Sequence, residues 1–181
     1  CGGFSKEVTE NLLIDLDFLG INNIVALRGD AIKSETYFTP SQEGHSYASE
    51  LVNQIADLNK GKYLEEVEVS SKTDFCIGVA GYPEKHPEAP SLEADLMNLK
   101  KKVDAGATFI TTHLFFDNSV YFDFVRMCRD IDITVPILPG IMTITSYKQI
   151  LRFCKMCNTS IPDRLNRQLI DASEDSKAIE A

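Results

Sequence analysis

Positive charge is scarce in this sequence, and long apolar runs are missing from it. Its 18 lysines and arginines are outnumbered by 27 aspartates and glutamates, which gives a formal net charge of −9 at pH 7. A nucleic-acid backbone or an anionic lipid surface would be repelled by such a chain. No stretch approaches the roughly 18 consecutive apolar residues of a membrane-spanning helix, and no secretory signal peptide is visible. The sequence therefore predicts neither nucleic-acid nor membrane binding.

Cysteine is present, but without the spacing of a disulfide framework. The five cysteines are Cys1, Cys76, Cys128, Cys154 and Cys157. Their odd number indicates free thiols in a reducing cytoplasm. Cys154 and Cys157 form a CxxC pair inside a helical pattern, which indicates buried or half-buried thiols rather than a redox site. The three histidines lack the spacing of metal ligands, so no metal site is predicted.

Amphipathic helices alternate with short apolar strands along the chain. Helices are predicted over about 7–19, 47–58, 92–104, 117–130, 146–156 and 162–170, and strands over 23–27, 75–80, 109–112 and 135–138. Such alternation is typical of βαβ units and a parallel sheet. Segment 60–73 is polar and is predicted to be a surface insertion. We therefore expect an α/β protein in which residues 1–181 form a single incomplete domain.

Two α/β architectures fit this alternation, a doubly wound sheet and a (β/α)8 barrel. No Gly-x-Gly-x-x-Gly follows a strand, which disfavours a dinucleotide-binding doubly wound sheet. Polar or turn-forming residues instead follow successive strands, as at the active-site face of a barrel: Arg28 and Asp30, then Tyr82, Glu84 and His86, then His113, then Pro139-Gly140. Four or five strands cannot close a barrel, so the sequence predicts part of one.

The tripeptide Arg28-Gly29-Asp30 ends the first predicted strand. Gly29 would allow the backbone to approach a ligand closely. The carboxylate of Asp30 could then tune the electronics of a cofactor. An Arg–Asp ion pair that fixes the loop is an equally simple interpretation.

The strongest local signal is the loop 81–89, Gly-Tyr-Pro-Glu-Lys-His-Pro-Glu-Ala. Two prolines stiffen this loop. Tyr82, Glu84 and His86 present an aromatic ring, a carboxylate and an imidazole, which suits a planar polar ligand. A structural loop in which His86 bonds to the backbone is the alternative.

Two further sets of side chains are candidates for ligand binding. Asp95, Asn98 and Lys102 are spaced three and four apart and share one helix face, with Lys101 on its flank. On spacing alone, a solvated polar stripe explains them. His113 follows a strand, where it could bond a ligand or transfer a proton, or serve as a satisfied loop histidine.

Several segments, in this order and at this spacing, resemble methylenetetrahydrofolate reductase: 24–30, 79–89, 95–107, 115–117 and 137–141. The resemblance implies a (β/α)8 barrel that binds FAD at the carboxyl ends of its strands. It implies a ping-pong reduction of 5,10-methylenetetrahydrofolate to 5-methyltetrahydrofolate by NAD(P)H, without distinguishing NADH from NADPH. A cytoplasmic oxidoreductase of one-carbon metabolism and methionine biosynthesis, commonly a homo-oligomer, is therefore expected.

The resemblance also implies roles for individual residues. Asp30 is the expected catalytic residue, and it would lie near the pterin of the folate. Asp30, His113 and Gln149 would bind substrate. Cofactor contacts are implied for Arg28, Gly29, Asp30, Tyr47, Ala48, Tyr82, His86, Asp95, Asn98, Lys101 and Lys102.

Two departures from the family qualify these roles. The family usually has glutamine where this chain has His113, and an imidazole cannot reproduce the paired donor and acceptor of a carboxamide. A flavin-binding relative with another substrate is therefore an alternative. Alignment with the family places Cys1 at the end of the third barrel strand, so the chain would supply strands four to seven. A general-acid glutamate and a folate-binding arginine would lie outside it. We expect an internal fragment that is inactive alone, with a non-catalytic fragment as the further alternative.

Overall fold

The computed structural model of the chain describes residues 3–30, 38–66 and 71–180, with the backbone alone for 174–180. Helices and strands occur in the order α1 (Lys6–Phe18), β1 (Asn23–Ala26), α2 (Ala48–Leu58), β2 (Cys76–Gly81), α3 (Leu92–Asp104), β3 (Phe109–Leu114), α4 (Asn118–Asp130), β4 (Ile137–Gly140), α5 (Tyr147–Cys157) and α6 (Asp163–Glu180). No helix of the described part combines the length and apolar character needed to cross a bilayer.

The four strands form one parallel sheet in the order β1-β2-β3-β4. In the first pair, Asn23 lies opposite Cys76 and Ala26 opposite Val79. Each pair of successive strands is separated by at least one helix, as parallel strands require a crossover. The predicted α/β class with a parallel sheet is confirmed, and it is compatible with a partial barrel. The numbering of the strands as four to seven stays a prediction.

Most predicted boundaries differ from the structure by one or two residues, and three differences are larger or bear on the site. The third strand runs over Phe109–Leu114 instead of 109–112, so His113 lies within β3 rather than after it. The last strand runs over Ile137–Gly140 instead of 135–138. β4 begins after Pro136 and contains Pro139, which is tolerated because β4 lies at the edge of the described sheet. The last helix continues to Glu180 rather than ending near 170. The polar segment that follows Ile170 contains neither glycine nor proline to stop a helix. Within the predicted insertion 60–73, residues 67–70 lie outside the described residues.

The chain divides into two compact units, which are described separately. Unit 1 comprises 1–80 and 98–111, and unit 2 comprises 81–97 and 112–181. The buried apolar side chains of unit 1 include Leu51, Val52, Ile55, Leu58, Phe75, Ile77, Val79 and Ile110. Those of unit 2 include Leu96, Phe124, Cys128, Ile133, Ile137, Ile150 and Cys154.

In unit 1, the side chain of Asn59 joins the end of α2 to the start of β2. Its Oδ1 accepts hydrogen bonds from Thr73 Oγ1 at 2.7 Å and from the Phe75 N–H at 2.9 Å. Its Nδ2 donates to the Phe75 carbonyl at 2.9 Å. One amide therefore satisfies polar groups of the backbone where the chain enters its second strand.

In unit 2, Cys128 is a fully buried thiol whose reactivity should be low. Cys76, Cys128 and Cys154 are free thiols, and Cys1 lies outside the described residues. Burial raises the pKa of Cys128 from 9.0 to about 11. At pH 8 about one molecule in a thousand would therefore carry the thiolate, which is the form that reacts.

We predict that iodoacetamide at pH 8 leaves Cys128 unmodified in the folded chain and modifies it in urea, as read by mass spectrometry of the tryptic peptide. Because the folded pKa is raised, this thiol contributes stability below pH 9, and that contribution is lost as pH rises from 9 to 11. Rapid alkylation of Cys128 without denaturant would contradict this prediction.

Candidate functional site

The loop 81–89 of unit 2 leaves β2 as a tight turn. The Lys85 N–H donates to the Tyr82 carbonyl at 3.2 Å, and the Ala89 N–H donates to the His86 carbonyl at 3.0 Å. Lys85 has a φ of 91°, in the left-handed region that non-glycine residues rarely adopt. A conformation of that kind persists only where surrounding contacts hold it. The loop is therefore a fixed structure, as its two prolines predict.

Two hydrogen bonds define the orientation of His86. Its backbone N–H donates to Asp95 Oδ2 at 2.8 Å, so the first turns of α3 hold the loop. Its ring atom Nδ1 accepts from the Glu88 N–H at 3.1 Å. Because Nδ1 is an acceptor, the neutral imidazole carries its proton on Nε2. His86 thus offers one N–H donor from a fixed ring.

Two histidine rings of unit 2 lie against the ring of Tyr82. The ring of His86 meets the Tyr82 ring edge-on, with centroids 4.6 Å apart. The ring of His113, from β3, stacks on Tyr82 with centroids 5.4 Å apart and planes within 12°. We call Tyr82, His86 and His113 the Tyr82 cluster. All three side chains are half-buried, and Nδ1 of His113 is itself buried, so the cluster combines flat ring faces with polar atoms at their edges.

The polar face of α3 is less solvated than its spacing predicts. Asp95 is half-buried and holds the loop through His86. In unit 1, Lys102 is half-buried, and its Nζ donates to the Ala80 carbonyl near the end of β2 at 2.7 Å. Asn98 and Lys101 are exposed, and Lys101 Nζ donates to Asn98 Oδ1 at 3.3 Å. The solvated-stripe interpretation therefore fits only Asn98 and Lys101.

The tripeptide 28–30 lies in unit 1, directly after β1. Gly29 has a φ of 89°, a left-handed conformation that suits glycine. The guanidinium carbon of Arg28 lies 4.8 Å from the centroid of the Phe38 ring, a cation–π contact. Asp30 is exposed, and the segment 31–37 that follows lies outside the described residues.

Also in unit 1, Tyr47 precedes α2 as its N-cap residue, and Ala48 is the first residue of that helix. The backbone N–H groups of Ser46 and Tyr47 donate to Glu50 Oε2 at 2.7 and 3.3 Å. This carboxylate satisfies two backbone donors in the manner of a capping box. The Tyr47 ring is consequently held at the helix start with its side chain exposed.

The family model of methylenetetrahydrofolate reductase matches residues 1–181. The chain belongs to the methylenetetrahydrofolate reductase family. It is similar to methylenetetrahydrofolate reductase (NADH) 1 of Arabidopsis thaliana, with 38% identity over 190 residues that cover 100% of this chain and 30% of the relative. It is also similar to 5,10-methylenetetrahydrofolate reductase of Escherichia coli K12, with 42% identity over 156 residues, 86% of this chain and 46% of that protein. A probable methylenetetrahydrofolate reductase (NADPH) of Caenorhabditis elegans is 38% identical over 99% of this chain and 25% of its own length. The chain thus spans less than half of each of these reductases.

A solved structure from Clostridium thermocellum shares the fold. It superposes with a TM-score of 0.55 over 94% of this chain and 50% of that one, at 16% sequence identity. That protein is described as uncharacterized and as binding two copies of 5-methyl-5,6,7,8-tetrahydrofolic acid. At this low identity the likeness concerns the fold alone.

The site residues implied by the likeness to methylenetetrahydrofolate reductases fall in both units. Unit 2 brings Tyr82, His86, Asp95 and His113 into one bonded or stacked group. Gln149, also in unit 2, is exposed on α5. The other residues lie in unit 1: Arg28, Gly29, Asp30, Tyr47, Ala48, Asn98, Lys101 and Lys102. Within the described residues, no group of three or more His, Cys, Asp or Glu could hold a metal ion.

Glu84 makes a contact that the sequence does not predict. Its position between Tyr82 and His86 predicts a carboxylate displayed toward a ligand. In the structure both oxygens accept from the Ser160 N–H, at 3.1 and 3.0 Å. Its negative charge also raises the pKa of Cys154, after the larger effects of burial and of Cys157. No local signal reveals this contact, because the two residues are 76 positions apart.

Proposed function

We propose that the protein carrying this chain is a flavin-dependent methylenetetrahydrofolate reductase. The bound FAD would accept hydride from NAD(P)H and pass it to 5,10-methylenetetrahydrofolate, with the two substrates alternating in a ping-pong order. The observation that carries the proposal is the Tyr82 cluster, within a chain that matches the family model over 1–181. We also propose that the complete protein is cytoplasmic and a homo-oligomer. Because the chain spans less than half of each compared reductase, we expect turnover from the complete protein and not from these 181 residues.

The residues of the Tyr82 cluster fit a flavin. Tyr82 and His113 offer nearly parallel flat faces, which suit contact with a planar ring system. The Nε2–H of His86 is a hydrogen-bond donor of fixed direction, since Nδ1 is engaged by Glu88. Asp95 supports the cofactor indirectly, because its carboxylate holds the backbone of His86.

Polar residues of unit 1 fit the ribityl and diphosphate parts of such a cofactor. Asn98 and Lys101 are exposed and present amide and ammonium donors, which bind phosphate oxygens well. Lys102 is proposed as a third contact, with its ammonium held at the Ala80 carbonyl. Arg28, Gly29, Tyr47 and Ala48 complete the proposed cofactor set.

Three residues are proposed to act on the substrate. Asp30 would be the catalytic residue, with an exposed carboxylate that a pterin can reach. Gln149 would bind the folate through its exposed carboxamide. His113 would contribute a single hydrogen bond, because a neutral imidazole has one N–H donor and Nδ1 of His113 is buried.

A flavin-binding relative with another substrate is the second candidate, and the His113–Tyr82 stack is the observation that favours it. The complete protein should be assayed with NADH and either methylenetetrahydrofolate or a quinone. Oxidation of NADH with methylenetetrahydrofolate is the expected result. Turnover with the quinone alone would instead favour the second candidate.

The proposed cofactor site can be tested by Tyr82→Ala. This change removes the ring that contacts both histidines of the cluster, so we expect the dissociation constant of FAD to rise about tenfold in the complete protein. The measurement is titration of apoprotein with FAD, followed by flavin fluorescence. Phe122→Ala is the matched control, because Phe122 is an exposed aromatic side chain of the same unit. Unchanged affinity in Tyr82→Ala would refute the proposed site.

A further inference from the structure

The loop 81–89 is attached to a distant part of unit 2 through Glu84. Both carboxylate oxygens of Glu84 lie within hydrogen-bond distance of the Ser160 nitrogen, at 3.1 and 3.0 Å. Glu84 lies two residues from Tyr82 and two residues from His86. Any displacement of its backbone would therefore move both ring-bearing residues. The carboxylate of Glu84 thus bonds to the backbone of unit 2, which gives Glu84 a part in holding the loop.

Ser160 belongs to a well-defined corner between α5 and α6. Asn158 ends α5 in a left-handed conformation, with φ 54° and ψ 39°, and the Thr159 N–H returns to the Cys154 carbonyl at 3.0 Å. The hydroxyl of Tyr147 donates to Asn166 Oδ1 at 3.0 Å and joins the two helices. The corner therefore gives the Ser160 N–H a fixed position and direction. Ser160 is exposed, so the contact lies at the surface of unit 2, but its donor belongs to a corner held by these backbone and side-chain hydrogen bonds.

Besides the stack of Tyr82 on His113, two side-chain hydrogen bonds among the described residues attach the loop to the rest of unit 2. Asp95 holds the backbone of His86 from α3, at 2.8 Å. Glu84 reaches the corner at Ser160, and the left-handed residue Lys85 lies between these two attachment points. A strained residue between two anchors keeps its conformation only while both anchors hold. Loss of either one should loosen the Tyr82 cluster.

We propose that Glu84 is a positioning residue for FAD: by binding the Ser160 N–H, it holds the loop so that Tyr82 and His86 meet the cofactor. The inference rests on the proposed function, since it assumes that the Tyr82 cluster binds flavin. The ionised carboxylate matters because hydrogen bonds to ionised groups are roughly twice as strong as neutral ones. A glutamine would keep a weaker form of the bond.

The test compares Glu84→Ala, Glu84→Gln and Asp123→Ala in the complete protein. Asp123 is the control, because it is an exposed carboxylate of unit 2 that pairs with Arg126 at 2.9 Å. We expect the dissociation constant of FAD to rise about tenfold for Glu84→Ala and about threefold for Glu84→Gln, with no change in the control. At saturating FAD, kcat of both Glu84 variants should return to within about twofold of the parent value. A residue with a general structural role would not show this recovery, and an unrecovered kcat would overturn the inference.

Two local measurements report on the contact itself. Amide hydrogen exchange of the peptide containing Ser160 should be faster in Glu84→Ala, with or without FAD. Alkylation of Cys154 at pH 8 should be faster in Glu84→Gln, because the charge that raises its thiol pKa is removed. Should Glu84→Ala fail to fold, these readings and the FAD titration apply to Glu84→Gln.

The outcomes separate this inference from the proposed function. If both Glu84 variants bind FAD as the parent does while Tyr82→Ala binds it more weakly, the positioning role of Glu84 is overturned and the proposed cofactor site stands. Parent-like binding in Tyr82→Ala as well would overturn the proposed cofactor site. Unchanged exchange at Ser160 in Glu84→Ala would show that the contact does not hold the loop, and would also overturn the inference.

Discussion

Replacing Phe124 by alanine is expected to lower the free energy of unfolding by about 3–5 kcal/mol. Phe124 lies on α4 with only 1% of its surface exposed, and it is among the largest fully buried side chains of the described residues. Truncation removes the apolar ring from the core and leaves a cavity that the surrounding side chains fill only in part. The measurement is urea unfolding followed by circular dichroism.

Phe122→Ala provides the matched control for this prediction. Phe122 is on the same helix, two residues away, and 65% of its surface is exposed. The same truncation at an exposed position should change stability by no more than about 0.5 kcal/mol. Equal losses in the two variants would mean that burial is not the cause. A loss below about 1 kcal/mol in Phe124→Ala would contradict the buried position itself.

The pattern of apolar residues was sufficient to predict the alternating helices and strands, because each helix and strand carries its own periodicity. Asp117 shows why one start was also predictable: its side chain accepts a backbone N–H at the first turn of α4. The extent of α6 was not predictable in this way. A polar segment without breakers is compatible with both helix and coil, so its sequence does not specify a helix end.

The candidate site was predictable only where its contacts are local. The rigid loop 81–89 follows from its two prolines, and its display of Tyr82 and His86 follows from its place after a strand. Asp95 shows what sequence spacing cannot predict. Helical spacing identifies the face of α3 on which Asp95 lies, but it does not reveal that the backbone of the loop packs against that face. Its bond to the His86 N–H spans nine residues. The Glu84–Ser160 contact spans 76 and depends on packing that no local pattern encodes.

The His113–Tyr82 stack is another contact that only the fold creates. The sequence predicts that both residues follow strands; in the structure Tyr82 follows β2, while His113 lies within β3, the neighbouring strand. Spacing could not reveal that the two rings would lie parallel. The fold therefore gives the His113 imidazole an aromatic partner that the sequence does not indicate.

Gly140→Ala should also be strongly destabilising, by about 3 kcal/mol, at the upper end of the usual cost of overpacking. A Cβ at Gly140, at the end of β4, would lie 2.0 Å from the carbonyl oxygen of Thr112. That oxygen belongs to the backbone of β3, so it cannot move unless the strand moves. The Gly140 N–H also donates to Thr112 Oγ1 at 2.9 Å, and this bond would be disturbed as the strands separate. Urea unfolding measures the loss.

Ile141→Ala is the control for Gly140→Ala, because the neighbouring Ile141 side chain is 85% exposed and its truncation should cost little. Stability of Gly140→Ala within about 0.5 kcal/mol of the parent would show that the two strands can separate without cost. The substitution should affect the site as well, since Thr112 directly precedes His113, whose ring stacks on Tyr82. A shift of β3 at Thr112 would carry His113 with it. We expect the folded fraction of Gly140→Ala to bind FAD more weakly than the parent, and Ile141→Ala to bind it normally. That result would link the close approach of β4 to the geometry of the Tyr82 cluster.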